Sequence, residues 1–163
     1  MLENYLRNKI KEIELDKKHL SAMLILTDGK KFLICKPYGN NQFWDLPKGL
    51  KEENESTSIT VKRETQEETG LIFSDHEYVF LTYSSYTPTK DLAIYTVRKS
   101  KLPDITLLKC TSLFDGIHPE ICDYKYILFS EIDKYLTPNM QRVISENHRR
   151  FFLKNPNYER KKD

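Results

Sequence analysis

The sequence predicts an α/β protein, an α/β/α sandwich around a mixed β-sheet, on three observations. Two apolar runs at residues 20–27 and 31–36 flank Asp28-Gly29, the pattern of a buried strand pair joined by a tight turn. A polar stretch at residues 57–69 then reads as a helix. Further strand-like runs at 76–87, 91–99 and 123–129 precede a closing helix that starts at Thr137-Pro138. A chain of 163 residues is expected to form one domain, residues 1–155, with a polar tail at 156–163. With 39% hydrophobic and 31% charged residues it reads as soluble and globular. The 26 basic and 24 acidic residues give +2, too even a balance for nonspecific nucleic-acid or membrane binding.

Residues 2–14 read as an amphipathic helix, with Leu2, Tyr5, Leu6, Ile10 and Ile13 on one side. Its other side holds Arg7, Lys9 and Lys11, a solvated basic face or a phosphate contact. Tyr38-Gly39-Asn40-Asn41 is a loop after the second strand. In Phe43-Trp44-Asp45-Leu46, alternation puts Trp44 with Leu46, so Trp44 is expected in the core and not as a stacking platform. Pro47 and Gly49 set a bend, and Gly70 ends the helix in a left-handed conformation. Pro88-Thr89-Lys90 separates two strands rich in aromatic residues: Tyr78, Phe80, Tyr83, Tyr86 and Tyr95. One or two of these tyrosines are candidates to stack on a base. Residues 101–117 are irregular, as a substrate lid would be. Met140, Val143, Ile144 and Phe151 line the core face of the last helix. Cys35, Cys110 and Cys122 form neither a metal-site spacing nor a disulfide framework. There is no membrane-length apolar run and no signal-peptide apolar region, so a cytoplasmic enzyme is expected.

The informative stretch is residues 49–71. On a helix, Glu64, Glu67 and Glu68 stand at i, i+3 and i+4 and share one face. Each like-charge pair costs roughly 0.2–0.5 kcal/mol, and the last helical turn prefers cations. Local rules broken in this way mark functional sites, and a bound hard cation would remove the conflict.

Gly49, Glu55, Arg63, Glu64, Glu67, Glu68, Gly70 and Leu71 stand in a spacing that resembles the Nudix box. That box is the signature of hydrolases that cleave nucleoside diphosphates linked to another moiety. Only Thr65 departs from it, at a usually aliphatic position. The resemblance implies the same sandwich fold, a Mg2+ or Mn2+ cofactor and a nucleotide or nucleotide-conjugate substrate. It implies metal ligands at Glu64, Glu67 and Glu68 and at the backbone oxygen of Lys48, with Glu55 and Arg63 in support. Lys36 and Lys48 are the implied phosphate contacts. Pro119-Glu120-Ile121 with Tyr124 and Tyr126 resembles a downstream motif of RNA 5′-pyrophosphohydrolases, which makes Glu120 the fourth carboxylate. Asp115, Asp123 and Glu131 are its substitutes, and His118 is a loop residue. The general base is Glu67 or Glu120. Pro47-Lys48-Gly49 is similar to the form found in diadenosine polyphosphate hydrolases.

The expected activity is therefore metal-dependent hydrolysis of a diphosphate linkage. The substrate is a dinucleoside polyphosphate or the 5′-triphosphate end of RNA. The competing readings are a nucleoside triphosphate-sanitising pyrophosphatase, a hydrolase of ADP-ribose or nucleotide sugars, and a noncatalytic nucleotide-binding module. Such modules usually lose box glutamates, and this chain keeps them.

Overall fold

The computed structural model describes residues 1–9, 19–39 and 42–152, without the side chains of Phe151 and Phe152. Residues 2–9 form a first helix, α1, with every described residue exposed. The expected continuation to residue 14, Asn40-Asn41, the packing of Phe151 and the polar tail lie outside the described residues.

Strands β1 (Leu20–Thr27) and β2 (Lys31–Pro37) follow, joined at a turn where Gly29 takes a φ of 95°. The Asp28 carboxylate accepts the backbone N–H groups of Lys30 and Lys31, both at 2.9 Å, and fixes that turn. The two strands then diverge, and the next segment enters between them. Asp45 exchanges backbone hydrogen bonds with Cys35, and the short β3 (Lys48–Leu50) pairs antiparallel with Ser21–Met23 of β1.

Helix α2 spans Thr57–Thr69, as the spacing predicts. After it come β4 (Val79–Thr87), β5 (Lys90–Arg98) and β6 (Ile121–Leu128), then a short α3 (Ile132–Tyr135) and α4 (Pro138–Phe152). The strand expected to begin at residue 76 begins at Val79, because Ser74 and Glu77 cap a 3-10 turn over Asp75–Glu77. Lys90, expected in the connecting turn, is the first residue of β5.

The sheet order is β4-β5-β1-β2-β6, with β3 added to β1. The β1–β5 pair is parallel and the others antiparallel, so the sheet is mixed. Burial of β1 from Ser21 to Thr27 is continuous, as a central strand covered on both faces requires. Its side chains divide by parity. Met23 and Ile25 join Phe32, Ile34, Leu92 and Ile94 beneath Met140, Val143 and Ile144 of α4. Leu24 and Leu26 join Leu33, Cys35, Ala93 and Val97 beneath Val61 of α2. The result is the α/β/α sandwich. Each fully buried Leu, Ile or Phe contributes roughly 1.5–3 kcal/mol. Helix α4 is also fastened to the edge strand, because Arg142 Nη2 donates to the carbonyls of Ser85 and Tyr86 at 2.7 and 3.1 Å. No described helix is long and apolar enough to cross a membrane.

Candidate active site

Helix α2 is stabilised in an unusual way, since its buried residues are Thr60, Val61, Glu64, Thr65, Glu68 and Thr69. Val61 is the one aliphatic side chain among them. The threonines bond back along the helix: Thr60 to the carbonyl of Ser56, Thr65 to Val61 and Thr69 to Thr65. Thr65 therefore fits a usually aliphatic position by satisfying its own hydroxyl. Ser56 caps the N-terminus, accepting from the N–H of Ile59, and Gly70 closes the C-terminus with a φ of 75°.

The remaining buried groups are two carboxylates. Glu64 and Glu68 face β3, and the fit is close: a Cβ on Gly49 would fall on the Glu64 carboxylate. The N–H of Lys48 donates to Glu68 Oε2 at 3.2 Å. In an extended strand a residue's N–H and C=O face the same edge, so the carbonyl of Lys48 is turned toward the glutamates as well. Leu50, two residues on, offers its carbonyl at that edge to Arg63 Nη2 at 3.2 Å.

Arg63 organises the outer side. Its Nε and Nη2 donate to the two oxygens of Glu55 at 2.7 and 2.8 Å, a bidentate pair. Its Nη1 reaches Glu64 at 2.9 Å and Glu67 at 3.3 Å. Glu55 precedes the helix cap and also accepts from Thr60 and from the backbone of Glu52. Hydrogen bonding to Arg63 lowers the Glu55 carboxyl to about 2. A folded-state value below the ordinary 4.5 means that the pair stabilises the fold above that pH and ceases to as pH falls toward 2. Acid unfolding followed by circular dichroism is expected to show wild type more stable than Glu55→Gln at pH 6, with the difference vanishing near pH 2.

Burial drives the inner carboxyls the other way. Desolvation raises Glu64 against the pull of Arg63, with Glu67 and Glu120 adding to the rise. Desolvation and then the charge of Glu64 raise Glu68 well above its ordinary value. Two buried, mutually repelling carboxylates suit a hard divalent cation. Among the described residues, no three Asp, Glu, His or Cys side chains form a ready-made cage. Mg2+ sites commonly use one or two carboxylates and leave the rest of the shell to phosphates and water.

Glu120 belongs to the loop before β6, which hangs from the end of α2. Thr111 N–H donates to the Glu67 carbonyl at 2.7 Å and Lys109 N–H to that of Thr69 at 3.0 Å. Ser112 accepts the Glu120 N–H at 3.0 Å and donates its hydroxyl to Glu120 Oε2 at 3.1 Å. The expected lid is thus a bound segment, with a 3-10 turn at Ile105–Leu107. The Tyr124 hydroxyl donates to the Glu68 carbonyl at 2.5 Å. Tyr124→Phe is expected to cost about 1 kcal/mol of stability by urea denaturation.

Asp115, Asp123 and Glu131 are engaged locally: Asp115 with His118, Asp123 with the Tyr124 N–H, and Glu131 with the Leu128 N–H. Lys36 Nζ lies 5.9 Å from the centroid of the Trp44 ring, and Lys125 Nζ lies 5.8 Å from it. Trp44 is half-buried and meets Tyr135 edge-on at 6.1 Å. Lys48 Nζ pairs with Asp45 at 2.7 Å and lies 5.8 Å from the Tyr86 ring. The charges of Asp45, Tyr86 and Glu68 outweigh burial and raise the Lys48 ammonium. Sequence reasoning passed over Asp45, although an acidic residue between Trp44 and Leu46 was a signal. Of the candidate stacking residues, Tyr95 is buried, Tyr78 and Tyr86 are half-buried, and Phe80 and Tyr83 are exposed.

The NUDIX domain model matches residues 17–146. A MutT/nudix family protein from Enterococcus faecalis superposes with a TM-score of 0.55 at 22% identity. That match covers 69% of this chain, which spans 44% of the Enterococcus protein. The NUDIX domain of Shewanella oneidensis NrtR, solved with ADP ribose, gives 0.62 at 18% identity, covering 82% of this chain and 88% of that one. A C. elegans Ap4A hydrolase gives 0.59 at 17%, covering 78% and 95%. A search of curated proteins returned no match. The family model spans most of the chain and the fold agrees, so this chain belongs to the NUDIX domain family.

Proposed function

We propose that the protein hydrolyses a diphosphate linkage in a dinucleoside polyphosphate or at the 5′-triphosphate end of RNA, with Mg2+ or Mn2+. The observation that carries the reading is the buried Glu64–Glu68 pair against the side-chain-free backbone of Gly49, beside Arg63 clamped by Glu55. The likeness to the Ap4A hydrolase and the Pro47-Lys48-Gly49 and Pro119-Glu120-Ile121 segments support the substrate class.

Glu64, Glu67, Glu68, Glu120 and the Lys48 carbonyl would hold the cation. When bound, it neutralises phosphate charge and lowers the pKa of a coordinated water. Arg63 keeps Glu64 and Glu67 oriented, and Glu55 keeps Arg63 from swinging into the site. The attacking water forms a bond to one phosphorus as the bridging P–O bond breaks, and the departing phosphate keeps the electron pair. Glu67 or Glu120 takes the water proton. Glu67 is the more exposed of the box carboxylates, and the Ser112 hydroxyl holds Glu120. Lys36 and Lys48 bring positive charge to the polyphosphate.

The test is phosphate and nucleotide release from diadenosine polyphosphates, 5′-triphosphate RNA, ADP-ribose and nucleoside triphosphates, with Mg2+ and with Mn2+. Turnover of either of the first two, absent in Glu68→Gln, supports the reading. Turnover confined to ADP-ribose or nucleoside triphosphates replaces the substrate class. No release from any substrate points to a binding module.

A further inference from the structure

Three aromatic rings gather beside Glu120, outside the strands where sequence reasoning expects the stacking residues. The Tyr38 and His118 rings are stacked, with centroids 4.5 Å apart and planes 13° from parallel. Phe114 lies 5.6 Å from Tyr38 at 49° and is 65% exposed. Stacked rings with one exposed face offer a platform on which a further aromatic ring can stack.

The cluster is built, not incidental. Residues 113–119 close into a small hairpin through the Leu113–Pro119 bridge and the Phe114 N–H to His118 carbonyl bond at 2.7 Å. Asp115 holds the tip, accepting from the N–H groups of Ile117 and His118 and bonding the His118 ring at 2.7 Å. The base of the hairpin is closed by the Glu120 N–H to Ser112 carbonyl bond, and the Glu120 carbonyl ties it to the end of β2 by accepting from the Tyr38 N–H. A ring that stacks here therefore sits next to Glu120, whose carbonyl accepts from the Tyr38 N–H.

We propose that Tyr38, Phe114 and His118 form the seat for a nucleobase of the substrate, a flat aromatic heterocycle added to an existing stack of rings. The assignment rests on the proposed hydrolase reading and sharpens it. The lysines and a bound cation would hold the phosphates at one end, and the rings select for a base over a bare polyphosphate. Stacking tolerates any base, so this seat favours nucleosides as a class without choosing among them.

Phe114 is exposed and outside both core clusters, so its replacement leaves the core intact. Phe114→Ala is expected to raise KM for a diadenosine polyphosphate about tenfold, the loss falling on KM more than kcat, with Phe114→Tyr restoring it. The inhibition constant of inorganic tripolyphosphate, which has no base, stays at the wild-type value. A KM within about twofold of wild type overturns the proposal, and so does an equal loss for tripolyphosphate. Fluorescence titration of etheno-adenosine triphosphate into Glu68→Gln reads the seat without turnover. Binding there that weakens on adding Phe114→Ala supports the seat even if no substrate is cleaved. Binding indifferent to Phe114 removes it even if the hydrolase reading stands.

Discussion

Glu68→Gln is expected to lower turnover at least about a hundredfold, the scale set by losing a charge of the proposed cation site, while making the metal-free protein harder to unfold. The two effects share one cause. Glu68 is buried beside Glu64, and its carboxyl is raised well above 4.5. A raised folded-state value means that the fold favours the protonated form. Stability is then highest below the unfolded value near 4.5 and declines as pH rises toward the folded one. Above the unfolded value and without metal, wild type bears the cost of burying that carboxyl, either as a charge or by holding its proton, and the glutamine variant does not. Thermal unfolding in chelator at pH 8 should give the variant the higher Tm, with the gap closing near pH 4. Adding Mg2+ or Mn2+ should then raise the wild-type Tm and leave the variant nearly unmoved. A variant less stable than wild type in chelator would mean that Glu68 holds the fold together through its bond to the Lys48 N–H and not the site.

Gly49→Ala is the second large effect. The backbone angle at Gly49 is ordinary, so the reason for glycine there is space: the added carbon would fall on the Glu64 carboxylate. Either Glu64 rotates off β3, abandoning its place and its bond to Arg63, or β3 shifts away from α2. Because the clashing atoms are the end of a flexible side chain, the expected cost to stability is small and the main loss falls on the site. Turnover should fall by about a hundredfold, since misplaced ligands forfeit the geometry of the site. The double variant Gly49→Ala with Glu64→Ala decides the mechanism. Removing the carboxylate makes room for the methyl, so the double variant should be no less stable than Glu64→Ala alone, a coupling that urea denaturation measures directly. Strict additivity would locate the cost in the β1–β3 pairing at Ala22.

The sequence by itself determined the helix at Thr57–Thr69, the left-handed Gly70 and the buried strand at Leu20–Thr27, because these follow from local spacing, apolar runs and backbone sterics. It also determined the acidic face, since i, i+3 and i+4 positions are neighbours on any helix. What that spacing could not separate was which glutamates are buried. Glu64 and Glu68 lie against β3, while Glu67, on the same face, is turned outward to Arg63. That distinction depends on where the strand crosses the helix, a contact between segments and not a property of either one. The same holds for Gly49, whose reason is a carboxylate fifteen positions later, and for Thr65, whose hydroxyl is satisfied by its own helix while its methyl is buried. The divergence of β1 from β2, filled by Asp45 and β3, was likewise invisible, because a strand-pair signal says nothing of what enters between. The Tyr38–His118 ring stack shows the limit most plainly. Tyr38 and His118 are far apart along the chain, and no periodicity links them. Only the pairing of β2 with β6, which carries the end of one to the start of the other, brings their rings into contact beside Glu120.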